Sequence, residues 1–236
     1  MHFKSLPLIL ASIIFTGCVT TQIPLDSSFT KVKSSTVGVG SKKHPEATFY
    51  QKGAQGILDM AISQGLNSSL IATLNAMRLD DEYTDGYEGK FSKALSGQER
   101  NVVTIESKTI MSLPEFKSQD RRTKGEDEIH YADLDYRQLK KDGIDFILVI
   151  EPIRYGLERA YYGFIPLGAP QGHAQVQFDL VDTGTNRIVW RDTAEVRSPI
   201  TGEWDNPPAF AESKEAIRLS YQTALGNLLK TIEKNL

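Results

Sequence analysis

The run from Ile144 to Glu151 (IDFILVIE) is the most apolar in the chain beyond residue 18. Its length and β-branching make it a strand, and a strand apolar on both faces must be covered on both. A hairpin follows. Ala174 to Asp182 alternates, with Val176, Phe178 and Leu180 on one face. Thr183-Gly184-Thr185-Asn186 supplies turn residues, and Arg187 to Val196 returns with Ile188 and Trp190 matching the apolar face.

Helical periods flank this centre. Between Ala54 and Leu79, Leu58, Ile62, Leu66, Leu70 and Leu74 recur every fourth residue. Ile57, Ala61, Ile71 and Met77 widen that face, and Gly65 interrupts it. This predicts one long, core-facing helix. From Ala209 to Asn235, Ile217, Tyr221, Leu225, Leu228, Leu229 and Ile232 line one face of a closing helix. Short helices are expected at Tyr87–Ser96 and Leu134–Lys141, the latter ended by Asp142-Gly143. Thr30–Gly40 reads as a first strand and Asn101–Glu106 as a second. Ser41–Gly56 reads as a loop or frayed helix start, and Pro114–Asp133 as an exposed, charged loop. The expected fold class is α/β (α+β): a mixed β-sheet with a closing antiparallel hairpin, covered by helices.

The first residues carry an address. Lys4 precedes an apolar run, Leu6 to Phe15, that ends in small residues, Thr16 and Gly17. This is the layout of a secretory signal, and the run is shorter than the roughly 20 residues of a membrane span. Next comes Cys18, the only cysteine in the chain. Phe15-Thr16-Gly17-Cys18 resembles the bacterial lipobox, with Phe15 where Leu is usual. The resemblance implies lipidation of Cys18. Val19 rather than Asp after it implies the outer membrane, on the periplasmic face. Several acyl chains, at about 0.8 kcal/mol per buried methylene, would make such an anchor effectively permanent. The organisation expected is a signal peptide at 1–17, a lipidated N-terminus and tether at 18–30, and one periplasmic domain at 31–236.

Net charge is −3, and removing Lys4 with the signal makes it −4. Without a concentrated basic face, nucleic acid is not an expected partner. Partners are expected to be the membrane, through lipid on Cys18, and an envelope protein or further copies of the chain.

Catalytic signals are sparse. Asp182-Thr183-Gly184-Thr185 spells an aspartic-protease core, but that chemistry needs two carboxylates, so only a homodimer could use Asp182. His2, His44, His130 and His173 are isolated, and no pair has metal-ligand spacing on one element. An acidic stretch, Asp80 to Gly89, fits a Ca²⁺ loop poorly. Counting from Asp81, Asp85 and Gly86 match, while Tyr83 stands at the third position and Ser92 at the twelfth, where a Glu belongs. No phosphate loop or nucleophile elbow occurs, so neither enzyme activity nor a metal or cofactor is expected. The best candidate contact is the tongue from Tyr161 to Pro170, with Tyr161, Tyr162, Phe164, Ile165 and Leu167 as its apolar points. It is either an exposed interface or a loop folded back on the core.

The closing hairpin, Asp182-Thr183-Gly184-Thr185-Asn186 then Ile188-Val189-Trp190, resembles that of small envelope lipoproteins. These share a fold with the N-terminal domain of the Tol translocation protein, the curli-secretion lipoprotein and the lipoprotein activators of penicillin-binding proteins. By element order the resemblance spans Thr30 to Val196. The tongue at Phe164–Pro170 has no counterpart in it. What it implies is a non-catalytic periplasmic module that binds envelope proteins or assembles into a ring or pore, with Cys18 the one functional residue carried over.

Overall fold

The computed structural model describes residues 22–54, 56–76, 87–96, 100–117, 129–204 and 210–236. The signal, Cys18 and the acidic stretch at 80–86 lie outside the described residues.

The fold is a mixed α/β arrangement around a seven-stranded sheet. Its main path runs β3(Asn101–Thr104), β1(Thr36–Ser41), β4(Phe146–Tyr162), β6(Gln171–Asp182), β7(Ile188–Pro199). β1 is parallel to both β3 and β4, whereas β4, β6 and β7 are successively antiparallel. The strand expected at Ile144–Glu151 is the start of β4. Ile147, Leu148, Val149 and Ile150 are all buried, with cover on both sides as its apolarity requires.

One face packs under α4(Tyr87–Ser96) and α6(Ala211–Asn235), where Phe178, Trp190, Tyr221, Leu225 and Leu228 interlock. Gly172 makes the close approach of α6 possible, because a Cβ there would lie 2.1 Å from the Ala216 carbonyl oxygen. The other face is covered by α5(Ser107–Met111) and a 3-10 helix, Tyr136–Asp142, ended by Gly143 with φ +77°.

Several expectations are corrected. β4 does not stop at Glu151. It bulges between Pro152 and Arg154 and continues to Tyr162. The bulge tolerates Pro152, which cannot donate to a ladder. The second half of β4 gains a parallel partner, β2(Thr48–Ala54), inside the segment read as a loop. The long first helix is two helices, α2(Ile57–Leu66) and α3(Ser68–Ala76), broken at Asn67. Leu70 and Leu74 on α3 are buried, but Leu58, Ile62 and Leu66 on α2 are exposed. The first strand starts at Thr36, not Thr30.

The tether reading also changes. From Gln22 the chain packs on the domain: Ile23 and Arg191 exchange backbone hydrogen bonds of 3.1 and 2.9 Å, and Asp26 N donates to Val189 O. A short helix, α1(Ser27–Lys31), then buries Phe29 completely, edge-on against Phe146. Part of Pro114–Asp133 is buried too, at Phe116 and Ala132. Among the described residues no helix is long and apolar enough to cross a membrane.

Candidate interaction surface

Beyond the ends of β6 and β7, the last residues of β4 run on and fold back through Gly163 into β5(Ile165–Pro166). This is the tongue, and it is a hairpin tip, not a loop folded on the core. Leu167 N donates to Ala160 O at 2.9 Å, and Arg159 Nε donates to Gly168 O at 2.6 Å, closing its base. Tyr162, Phe164, Ile165 and Leu167 are exposed, Tyr162 to 70%. Tyr161 does not join them. It faces inward and is only 3% exposed, its hydroxyl accepting a hydrogen bond from Asn67 Nδ2. Neighbouring strand residues point to opposite faces, so Tyr161 and Tyr162 cannot share a contact.

Helix α2 flanks the turn. A Cβ on Gly163 would lie 3.6 Å from Asp59 Oδ1. The helix presents Leu58, Met60, Ile62 and Leu66 to solvent. Of the eleven large apolar side chains exposed among the described residues, these eight belong to α2 and the tip. Such a concentration is a mark of an interaction surface, which scattered apolar residues are not.

Below the tip, the polar face of β4, β6 and β7 carries a closed ring of charge. Arg197 donates from Nε to Glu158 Oε1 at 2.6 Å, and from Nη2 to Glu158 Oε2 at 3.0 Å and Glu195 Oε1 at 2.7 Å. His173 Nε2 lies 3.0 Å from the same Glu195 oxygen. Burial pushes the His173 imidazole below its ordinary pKa and outweighs the carboxylates beside it. Burial opposes ionisation of Glu158, but the bonds from Arg197 prevail and lower its pKa. Residue spacing gave no hint of this ring, since its members stand on three strands.

Asp182 sits at the far end of the sheet. Its Oδ1 accepts from Gly184 N at 2.7 Å and its Oδ2 from Thr185 Oγ1 at 2.9 Å, so both oxygens hold their own turn. Asn186, buried at φ +63°, clamps the turn to the 3-10 helix, accepting from Tyr136 N and donating to Ala132 and Leu134 carbonyls.

No protein-family model and no curated protein sequence matches the chain. Among solved structures it is similar to PelC from Paraburkholderia phytofirmans, solved as a dodecamer, at 12% identity over 90% of this chain and 94% of that one, with a TM-score of 0.35. It is similar to the lipoprotein GNA1162 from Neisseria meningitidis at 13% identity over 73% and 86%, TM-score 0.31. The C-terminal domain of LpoB from Salmonella enterica aligns at 10% identity over 70% and 83%, TM-score 0.22. Likenesses this weak assign neither family nor function.

Proposed function

We propose that this chain is an outer-membrane lipoprotein, anchored through Cys18, that works by recognition: its β4–β5 tip holds a partner in a cell-envelope complex. The observation that carries the reading is the gathering of exposed Tyr162, Phe164, Ile165 and Leu167 on a tip braced by strand pairing. The sequence of residues 1–18 supplies the address. Geometry supports a partner away from the anchoring membrane. Only residues 19–21 separate Cys18 from the docked Gln22. That spacer spans roughly 15 Å at most. Arg191, where the N-terminal segment docks, is level with Val149, and from there β4 runs roughly 40 Å to Tyr162. An upright domain therefore carries the tip well clear of the lipid headgroups.

The test is a photo-crosslinking residue at Phe164 in intact cells, with Lys108 as a control position. A discrete heavier product from 164 and none from 108 supports the reading. Crosslinks to lipid alone defeat it. A ladder at multiples of the chain's own mass selects the ring-forming alternative. Separately, Cys18→Ser is expected to abolish palmitate labelling and release the protein from membranes; retained labelling would remove the anchor.

A further inference from the structure

Helix α2 is held by its inner edge. Ser63 is fully buried and donates to Gln51 Oε1 at 2.8 Å, and Asn67, one residue past the helix, reaches Tyr161. The opposite face is apolar and open. Leu58, Ala61, Ile62 and Gly65 share it at the spacing i, i+3, i+4, i+7, and all four are exposed. Leu66, exposed to 72%, flanks them. Asp59 is the only charge on the helix, and its carboxylate accepts from Gly56 N at 3.0 Å. A Cβ on Gly65 would meet nothing within 4 Å, so the single chain gains nothing from a residue that weakens a helix interior.

We propose that α2 pairs two copies of this chain, running antiparallel about a two-fold axis between Ala61 and Ile62. That axis sets Leu58 over Gly65 of the second copy and Ile62 over Ala61 of the second copy, each contact occurring twice. Every large side chain meets a small one, so the helices approach to the near end of the roughly 8–10 Å range for packed helices. An uncharged face meets its own copy without like-charge repulsion. The exposed face of α2 offers on the order of 600 Å² per copy, and two copies reach the lower bound of roughly 1,200 Å² for a specific interface. Asp59, on the inner edge, is the residue that faces Gly163. The tip therefore lies on the other side of the helix from the pairing face, and the pair presents two tips side by side. A two-fold pair closes at two copies, unlike a ring.

The experiment places a cysteine at Ala61, beside the axis, in the full chain in its own membranes, and oxidises it with copper phenanthroline. Lys108→Cys, on the exposed side of α5, is the control. Expected is one product at twice the chain's mass from Ala61→Cys and none from Lys108→Cys. No product from Ala61→Cys, an equal product from Lys108→Cys, or a ladder of higher multiples overturns the proposal. A second arm measures the dissociation constant of the full chain in detergent by sedimentation. Gly65→Gln fills open space with a better helix former, so folding is retained while the dissociation constant should rise at least tenfold. Unchanged affinity there overturns the proposal. Ile165→Ser with Leu167→Ser should leave pairing intact, and loss of pairing in that variant assigns the contact to the tip and overturns it too. The crosslink at Phe164 is read separately, so failure of either reading leaves the other standing.

Discussion

Asn67 donates its side-chain amide to the Tyr161 hydroxyl at 2.9 Å, tying the break between α2 and α3 to the strand that carries the tip. The same amide donates to Ser63 O at 2.6 Å, which ends α2. Asn67→Ala removes both bonds and strands a buried hydroxyl. Equilibrium urea unfolding should show a loss of about 1–3 kcal/mol, and no measurable loss would show that the bond does not position the tip.

The tip itself should be nearly neutral for folding. Ile165 and Leu167 are 53% and 64% exposed. Ile165→Ser with Leu167→Ser should change stability by less than about 0.5 kcal/mol per site while abolishing the crosslink from position 164. A large drop in melting temperature would mean that the tip is core.

Phe29 tests whether residues 22–31 belong to the domain. Its ring is wholly buried between Phe146 and the Arg100 guanidinium, which lies 3.6 Å from the ring centre. Phe29→Ala should cost about 3–5 kcal/mol, read by chemical denaturation. A cost under about 1 kcal/mol would restore the tether reading.

Stability should fall with acid, in two stages. The folded His173 pKa is depressed below its ordinary 6.5, so the unfolded chain takes up the proton first. Stability is therefore lost as pH falls from about 6.5 toward the folded value. Glu158 and Glu195 are also depressed, and they add a further loss below their ordinary 4.5. Urea midpoints at pH 7.5 and 5.5 should differ more for wild type than for His173→Gln, and equal differences would contradict the assignment.

What could be read from the sequence was periodic and local. The β6–β7 hairpin and α6 each bury a face whose period the residues spell out, and the core of β4 is an unbroken apolar run buried on both faces. β2 escaped because Thr48–Ala54 has few apolar residues and pairs in parallel with Gly156–Tyr162, a partner about a hundred residues away. At Gly156, φ +146° and a Cβ position 1.9 Å from Thr48 O mark that approach, yet one glycine in a strand does not announce it. The four-residue leucine spacing ran unbroken through Asn67, so the period gave no sign that its first half faces solvent. For the tip, the alternation of Tyr161 and Tyr162 was a usable signal that only one of them faces out.

β4 also has a mechanical consequence. One unbroken backbone of 17 residues runs from beneath the turn at Asp182 to Tyr162. Tension applied by anything gripping Tyr162 is delivered lengthwise along that backbone. The ladder bonds to antiparallel β6 lie across the pull, and those to parallel β1 and β2 slant across it. They share the load as a set instead of opening one after another, so the tip is fastened to the middle of the domain as a handle is to its tang.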